Sequence, residues 1–555
     1  SSSDTPRMKE YLAYFGSKNH EFRVPELRSV AQCLGYEFWA EELTSSEHFH
    51  CPFVKIRLPS DEAVVKLCER SVSLYGIFEI WGEGEDHAKC GEEVKAYMEK
   101  HEEAHRRVKE RSFKFTVQGF NRHYSREAQL ELIHTYSWMN FGGKCEMKNP
   151  EEMYWIMELV RQHAPDEEKP RKVFFVRQIA LGARPLIDNY TLKRRSYLGT
   201  TSMESEISFF TANQALARPG SLIFDPFVGT GSLLVTCSAL GAYTLGADID
   251  MDVLIGKQKN KNIRSNFKQY NLEHLLLDLI RFDNAKHSVI RTHRPFLDGI
   301  VCDPPYGIRA GAKKVGVRAH TIVKHEKTGT PHVPIHTNPA DPGWLPHIPQ
   351  CVPYSVSDVL LDLLDFSARS LVLGGRLVYW LPTTSEYKDS DLPLHPCFNI
   401  VGNSEQKLTL YFSRRLITME KIKEFDPNDV GTVPEQPIEA FDQSLQQGKS
   451  NASASGDEES ASSSAEPAHA NLAAKVTRQA SRYDSRNESD VVPENLTRIN
   501  RITGAELKRQ RKQERKAARK AAEALAAQGA SAPSNESASA SSEAKASSEP
   551  PSSSS

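Results

Sequence analysis

The chain has 555 residues, of which 39% are hydrophobic and 26% are charged, and its formal net charge is −2. This balance excludes a globally basic nucleic-acid-binding protein, so any affinity for RNA must come from local patches. Because no apolar run approaches the roughly 18 residues that a membrane span needs and the first residues lack a secretion-signal pattern, we expect a cytoplasmic protein with no membrane segment.

Residues 1–190 mix short alternating strands with helices. The alternation predicts strands at 53–58 and 113–120 and a closing strand at 173–177. Helices are predicted at 25–34, 128–139 and 150–162. An α+β pattern of this kind fits a small RNA-docking module.

Basic residues cluster at three places in front of position 200. Two pairs stand at residues 122–123 and 171–172, and Lys193, Arg194 and Arg195 follow each other near the start of the next domain. Since an RNA backbone would pass between a docking domain and a catalytic domain, this last cluster is the preferred candidate for RNA binding. Contacts of this type position a substrate without specifying its sequence.

A glycine loop follows a predicted buried strand at 221–224 and precedes a predicted helix at 233–240. It reads Asp225-Pro226-Phe227-Val228-Gly229-Thr230-Gly231-Ser232. Glycines at a strand-to-helix turn let the backbone approach a ligand closely. The three spaced glycines of dinucleotide sites and the Lys-Ser/Thr ending of phosphate loops are absent, which argues against nicotinamide cofactors and ATP. S-adenosylmethionine fits better, with Asp225 accepting from its amino group.

Three more acids each follow a predicted strand. Asp248 ends the strand at 243–247, Asp283 the strand at 275–282 and Asp303 the strand at 297–302. The carboxyl ends of parallel strands are where an open α/β sheet binds its ligands. Asp248 suits a ribose diol, and Asp283 is placed to accept from an adenine amine.

The fourth acid opens the sequence Asp303-Pro304-Pro305-Tyr306-Gly307. An exocyclic amine on a base is a poor nucleophile because its lone pair is delocalised into the ring. The Asp303 carboxylate and the Pro304 carbonyl would each accept one of its N–H groups, and proline fixes the turn that aims the carbonyl. Tyr306 would stack on the extracted base.

These motifs resemble a known signature. Residues 225–232, 246–250 and 303–307 are similar to the amino-methyltransferase motifs, and residues 190–203 resemble the entry to the catalytic domain of the eukaryotic tRNA (guanine-10-N2) methyltransferase family. The resemblance implies transfer of a methyl group from S-adenosylmethionine to the N2 amine of guanosine 10 in tRNA. It also implies that Thr201 and Ser202 border the methionine end of the cofactor.

The same resemblance implies the domain order. A ferredoxin-like and THUMP region over residues 1–190 would bind tRNA, and an α/β, Rossmann-like methyltransferase domain would span 191–428. A small zinc-binding activator protein would cover an apolar strand edge of the catalytic sheet near residues 275–279.

Two other functions stay open. The Asp-Pro-Pro-Tyr motif is shared by methyltransferases that act on other RNAs, DNA bases or protein glutamine, and an inactive RNA-binding scaffold could keep the same fold. The complete set of acids and glycines argues against the scaffold, because a scaffold needs no hydrogen-bond acceptors at four strand ends.

The second half contains two segments of unusual composition. Residues 308–352 form a connection too long for an ordinary loop, which indicates an active-site flap or disorder. The five histidines between 320 and 347 match no zinc pattern, and the nine cysteines form no Cys-x-x-Cys pair. We therefore expect no metal in this chain and no disulfide frame.

The catalytic domain is expected to close with a helix at 357–371, which Gly374 and Gly375 would end, and a strand at 376–381. Residues 429–555 are rich in Ser, Ala and Glu, and their composition predicts a disordered tail. Within it, residues 498–528 carry a basic segment with helix-forming alanines. This segment is interpreted as inert, with an RNA arm or a nuclear address as alternatives.

Overall fold

The computed structural model describes residues 8–16, 18–42, 51–160, 170–256, 260–286, 294–305, 312–315, 351–409 and 411–434. Within these ranges the chain forms two seven-stranded sheets and one two-stranded pair. The predictions for Tyr306, for most of the 308–352 connection and for the tail beyond residue 434 lie outside the described residues. None of the described helices has the length and apolar character that a membrane span requires.

The first sheet belongs to the N-terminal region. Its strands are β1 (Lys9–Phe15), β2 (Trp39–Ala40), β3 (Phe53–Leu58), β4 (Leu74–Gly84), β5 (Phe113–Phe120), β6 (Glu152–Leu159) and β7 (Lys172–Leu181), in the order β2-β3-β1-β4-β7-β6-β5. All neighbours are antiparallel except β5 and β6. The helices are α1 (Arg23–Leu34), α2 (Asp61–Cys68), α3 (His87–Lys100), α4 (Glu102–Glu110) and α5 (Arg126–His134).

Local sequence accounts for several of these elements. In β3, Val54, Ile56 and Leu58 are fully buried while Arg57 is exposed, which is the alternation of a half-buried strand. Ser60 caps α2, since its side chain accepts from the third residue of the helix. The strands predicted at 53–58 and 113–120 have the predicted bounds.

The prediction of a helix at 150–162 is wrong. Residues 152–159 form β6, which lies between β5 and β7 in the sheet. Tyr154, Trp155, Ile156 and Met157 are all buried. An internal strand covered on both faces reads as a continuous apolar run, and its period cannot be told from that of a buried helix. The helix predicted at 128–139 is shorter, with a separate 3₁₀ turn at Ser137–Met139.

The second sheet lies in the predicted catalytic domain. Its strands are β8 (Leu222–Asp225), β9 (Tyr243–Asp248), β10 (Leu276–Arg281), β11 (Leu297–Cys302), β14 (Leu371–Thr384), β15 (Phe398–Lys407) and β16 (Phe412–Lys421). The intervening β12 (Lys313–Val315) and β13 (Cys351–Pro353) form the separate antiparallel pair. The helices are α6 (Pro185–Asn189), α7 (Ser205–Gln214), α8 (Ser232–Ala239), α9 (Met251–Ile255), α10 (Ile263–Gln269) and α11 (Val356–Ser370).

The strand order is β10-β9-β8-β11-β14-β16-β15, with the first five strands parallel and β16 antiparallel to both of its neighbours. The chain enters the sheet at β8, adds β9 and then β10 on one side of β8, and afterwards crosses over to add β11 on the other side of β8. Such a reversal creates the crevice in which open α/β sheets bind ligands. One core packs on the α7 and α8 face of the sheet, and a second core packs on the α11 face.

Gly374 and Gly375 do not end the helix before β14. The helix α11 ends at Ser370, and β14 begins at the next residue. Pairing with β11 jumps from Leu371 to Arg376, so the two glycines lie in a bulge of β14. A side chain on Gly375 would stand 2.9 Å from the Val372 carbonyl oxygen, which explains why glycine is needed there.

The two sheet regions meet through α1 and α7. Phe22, just before α1, stacks on Phe210 of α7 with ring centroids 5.1 Å apart and on Trp380 of β14 at 5.9 Å. Buried Arg376 of β14 donates to the Ser29 hydroxyl of α1 at 3.0 Å. The N-terminal region is therefore joined to the second sheet by a buried interface that contains both aromatic and polar contacts.

Candidate active site

Asp225, Asp248, Asp283 and Asp303 lie at or just beyond the carboxyl ends of β8, β9, β10 and β11. These strands are adjacent and parallel, so their carboxyl ends meet at one edge of the sheet. Asp225 is 2% exposed and Asp283 is 8% exposed. The structure thus brings together the four acids that the motif spacing predicted.

The glycine loop is held against β9. The Val228 N–H donates to the Ala247 carbonyl at 2.8 Å, and the Gly229 N–H donates to Asp248 Oδ2 at 3.1 Å. Gly229 and Gly231 have φ angles of 50° and 79°, which favour glycine. Among the described residues other than its chain neighbours, no atom lies closer than 3.9 Å to the position of a Cβ on Gly229, so these residues leave open space on that side of the loop.

Asp225 and Asp248 accept backbone hydrogen bonds within the loop region. Asp225 Oδ1 accepts from the Phe227 N–H at 3.0 Å, and Asp248 Oδ1 accepts from the Asp250 N–H at 3.0 Å. Burial raises the pKa of Asp225 well above its usual value, and the charges of Asp248 and Asp303 act in the same direction. Burial also raises the pKa of Asp248. Since each carboxylate oxygen can accept a second hydrogen bond, both acids keep capacity for a ligand.

Asp283 ties the described part of the long connection to the sheet. Its Oδ1 accepts from the Ala285 N–H at 3.0 Å, and its Oδ2 accepts from the Val315 N–H of β12 at 2.7 Å. The predicted contact with an adenine amine must therefore share this carboxylate with β12. Phe227 packs its ring against the nearby cluster of Ala312, Tyr354 and Val359.

Asp303 follows β11 directly, which has the predicted bounds. The side chain is partly buried, Pro304 is buried and Pro305 is partly buried. Burial raises the pKa of Asp303 to about 6, while the positive charge of Arg414 acts to lower it. At neutral pH the carboxyl group is therefore mostly ionised and able to accept hydrogen bonds.

The segment at 190–203 contacts the glycine loop through Ser202. Its hydroxyl lies 2.7 Å from the Thr230 hydroxyl and accepts from the Gly199 N–H at 2.9 Å. Thr230 is buried, whereas Thr201 is exposed. Ser202 therefore lies beside the glycine loop, and the contact of Thr201 and Ser202 with the methionine end of the cofactor stays a prediction.

The three basic residues predicted to bind RNA differ in their exposure to solvent. Lys193 and Arg194 are exposed, but Arg195 is only 5% exposed. The Arg195 guanidinium donates to the Ser232 hydroxyl at 2.7 Å, at the start of α8, and to the Tyr190 carbonyl at 3.2 Å. Burial behind the glycine loop argues against the RNA contact predicted for Arg195. This side chain instead supports the loop.

Asn266 of α10 is a supporting residue that the motifs did not reveal. Its side chain exchanges hydrogen bonds with the backbone of Tyr197, both at 2.9 Å, and donates to the Thr230 carbonyl at 3.2 Å. It is fully buried. An asparagine in the middle of a short helix gives no sequence signal for this role, because its partners lie dozens of residues earlier.

Two other basic residues considered for RNA binding can also be placed. Arg122 lies 3.9 Å from Glu158, and Lys172 lies 3.6 Å from Glu83, so both face carboxylates within the N-terminal region.

In the described part of the chain, no group of three or more His, Cys, Asp or Glu residues could hold a metal ion. The absence of a metal from the whole chain stays a prediction.

A mostly parallel sheet with this strand order, a glycine loop after β8 and an Asp-Pro-Pro turn after β11 define an S-adenosylmethionine-dependent methyltransferase. Comparison with known proteins agrees. The family model for the Tmrp11 THUMP N-terminal domain matches residues 9–184, and the model for the RMKL-like methyltransferase domain matches residues 193–320.

Curated relatives match about three quarters of the chain. The chain is 37% identical over 433 residues to the Xenopus laevis protein named tRNA (guanine(10)-N(2))-methyltransferase TRMT11, covering 75% of this chain and 86% of the relative. The Homo sapiens protein of that name is 36% identical over 446 residues, covering 76% and 90%. The chain therefore belongs to the tRNA (guanine(10)-N(2))-methyltransferase TRMT11 family. The resemblance expected from the motifs is confirmed, as is the fold class of a THUMP region followed by a methyltransferase domain.

Among solved structures, TrmN from Thermus thermophilus covers 74% of this chain and 100% of its own, at 15% identity and a TM-score of 0.34. This overlap is too weak to add to the assignment.

Proposed function

We propose that this chain transfers a methyl group from S-adenosylmethionine to the exocyclic N2 amine of guanosine 10 in tRNA. The observation that carries the proposal is the position of Asp303-Pro304-Pro305 beside the glycine loop and its buried acids, in a chain of the TRMT11 family. S-adenosylmethionine supplies an activated methyl group when bound. The protein contributes alignment of the two reactants and activation of the amine.

The residues of the loop region fit this cofactor. Asp225 is a buried acceptor and Asp248 is a partly buried acceptor that binds the Gly229 N–H, which suits an ammonium group and a ribose diol. The proposed cofactor-binding set is Asp225, Phe227, Gly229, Thr230, Gly231, Asp248, Asp283, Thr201 and Ser202. Arg195 and Asn266 hold this set from behind without reaching the ligand.

Asp303 and Pro304 would activate the amine. An ionised carboxylate and a carbonyl oxygen accept the two N–H groups, which turns the nitrogen lone pair away from the ring. Because burial and Arg414 place the pKa of Asp303 at about 6, the carboxylate form dominates at pH 7. Pro305 stiffens the turn, and Tyr306 is proposed to stack on the base.

The tRNA would contact both halves of the chain. We assign tRNA binding to residues 1–190 and catalysis to the residues from 191 onward. The catalytic half extends past the predicted boundary at residue 428, because Thr432 exchanges two backbone hydrogen bonds with Leu394 at 2.8 Å. The exposed Lys193 and Arg194 lie between the two halves and are proposed to contact the tRNA backbone. A cytoplasmic location remains a prediction.

The proposed activator would cover β10. This strand is at the edge of the second sheet, so one row of its backbone groups has no neighbouring strand in the described residues. Leu277 on this strand is 53% exposed. An apolar unpaired edge invites pairing with another chain. A small zinc-binding activator protein that adds a strand here would bury it.

The deciding experiment incubates the full-length chain, with and without the co-expressed activator, with labelled donor and unmodified tRNA. We expect one labelled N2-methylguanosine, mapped by mass spectrometry to position 10. A tRNA with adenosine at that position is the matched control and should take up no label. Label in DNA or in a glutamine peptide would favour the other amino-methyltransferase functions. No transfer to any substrate in the presence of the activator would favour the scaffold.

A further inference from the structure

Arg414 lies on the α7 face of the second sheet. Leu416 of β16 pairs with Trp380 of β14, and both belong to the core on the α7 face. Arg414 is two residues before Leu416, so alternation along the strand directs it to the same face. Its guanidinium carbon lies 4.5 Å from the centroid of the Trp380 ring, which agrees with that direction.

Asp303 reaches this face from β11. Val301 belongs to the core on the α7 face, whereas Cys302 belongs to the core on the α11 face. If the alternation continues one residue past the end of β11, it directs Asp303 to the face that carries Val301 and Arg414. Cys302 pairs with Tyr379 of β14, so the end of β11 lies one strand away from the Trp380 ring that supports Arg414.

The Arg414 guanidinium is held in place by two contacts. Its Nε donates to Gln406 Oε1 of β15 at 2.7 Å, and its plane lies over Trp380. Trp380 in turn is fully buried and donates from Nε1 to the Thr211 hydroxyl at 3.2 Å. A cation fixed in this way acts on its surroundings with little reorganisation.

Titratable groups on four strands surround Asp303. The Asp225 carboxyl group of β8 has the same charge as Asp303 when ionised and interacts with it electrostatically. The Arg414 guanidinium of β16 has the opposite charge. On its own strand, Cys302 is a buried thiol whose pKa is raised by burial and by both carboxylates. The Tyr379 hydroxyl of β14 belongs to the opposite face, and burial raises its pKa. Of these groups, Arg414 is the one that favours ionised Asp303.

We propose that Arg414 is a positioning residue for the methyl transfer, which keeps the Asp303 carboxylate ionised so that it can accept from the target amine. This inference rests on the proposed function and adds a residue to its site. Arg414 acts through Asp303 and does not need to touch the base or the cofactor.

The test is the pH profile of kcat/KM on unmodified tRNA for wild type, Arg414→Gln and Arg414→Lys. Without the positive charge of Arg414, the acidic limb of the kcat/KM profile should move to higher pH by about one unit. The Gln variant should then be about five-fold slower than wild type at pH 6 and within about two-fold at pH 8.5. The Lys variant keeps the charge and should recover most of the shift. Arg415→Gln is the control, because Arg415 lies over Tyr387 at 4.1 Å and near Glu405.

A pH-independent loss in Arg414→Gln would show a merely structural role, and a higher KM for tRNA at every pH would show a phosphate contact. Either result, with an unmoved acidic limb, overturns the proposal.

A second measurement does not depend on turnover. Infrared difference spectra of the full-length chain should contain a protonated carboxyl band that disappears in Asp303→Asn. Its midpoint should lie near pH 6 in wild type and about one unit higher in Arg414→Gln. An identical midpoint in both proteins would overturn the role of Arg414. Absence of methyl transfer by wild type would instead reject the proposed function and leave this readout valid.

Discussion

Asn213 of α7 donates from Nδ2 to Glu26 Oε1 of α1 at 2.8 Å. Glu26 is fully buried, and its carboxylate also accepts from the N–H groups of Val72 and Ser73, at 2.9 and 3.0 Å, and from the Ser71 hydroxyl at 2.7 Å. Donors from the N-terminal region and from the catalytic half thus converge on one side chain. This carboxylate is a centre of the interface that joins the two halves.

We expect Glu26→Ala to lower the free energy of unfolding by about 3 kcal/mol, because several buried donors would lose their acceptor. Urea unfolding followed by tryptophan fluorescence measures the change. Glu99→Ala, at an exposed position on α3, should stay within about 0.5 kcal/mol of wild type. Equal losses in both variants would contradict the role given to Glu26.

Asp303→Ala should reduce methyl transfer to tRNA by at least about 100-fold, since the amine would lose its charged acceptor. Calorimetric titration should show affinity for S-adenosylmethionine within about two-fold of wild type, because the cofactor-binding acids are intact. Asp389→Ala, at an exposed acid, is the control and should keep full activity. Retained turnover in Asp303→Ala would refute the catalytic assignment.

The raised pKa of Asp303 also predicts a dependence of stability on pH. The folded protein binds this proton more tightly than the unfolded chain does, so wild type loses stability as the pH rises from about 4 to about 6. Going from the usual 3.8 to about 6 corresponds to about 3 kcal/mol. Asp303→Asn should therefore be the more stable protein at pH 8 and should match wild type near pH 4. Thermal unfolding at both pH values checks this, and a pH-independent difference would speak against it.

Arg195→Ala should weaken binding of S-adenosylmethionine by about ten-fold, because the guanidinium supports the glycine loop through Ser232. Binding of tRNA by this variant should change less. The double variant Lys193→Ala, Arg194→Ala is the matched comparison and should weaken tRNA binding with unchanged cofactor affinity. Fluorescence titrations with each ligand separate the two effects, and the reverse pattern would restore Arg195 as an RNA contact.

Leu277→Asp should abolish co-purification of the activator, because a charge on the β10 edge opposes pairing with an apolar strand. Leu394→Asp provides the control, since Leu394 and Leu277 are both 53% exposed and Leu394 lies away from β10. Pull-down after co-expression measures both. Equal recovery of the activator with the two variants would place its binding site elsewhere.

Much of the candidate site could be predicted because its signals are local. Asp225, Asp248 and Asp303 each end a buried strand and stand beside glycines or prolines, so a few neighbouring residues identify them. The bounds of β11 were predicted for the same reason. Tyr306 belongs to the same motif, but its place in the site stays a prediction.

The supporting residues could not be predicted because their partners are distant in the sequence. Arg414 reaches the neighbourhood of Asp303 only after the chain has crossed to β14 and returned along β16. Asn266 bonds to Thr230, which lies 36 residues earlier in the chain. Arg195 stands in a run of basic residues that is typical of a protein surface, and its burial depends on its contact with Ser232 at the start of α8. The misassigned β6 belongs with these cases, since burial on both faces removed the alternation that distinguishes a strand.

The β12–β13 pair has a consequence for how the family can vary. Lys314 pairs with Val352, and Val315 pairs with Cys351, so the two ends of the stretch between them are already joined. The Val315 N–H is in turn anchored on Asp283. Because β12 and β13 hold both ends of this stretch, a change of length within residues 316–350 is expected to leave the strand pair and its contact with Asp283 in place.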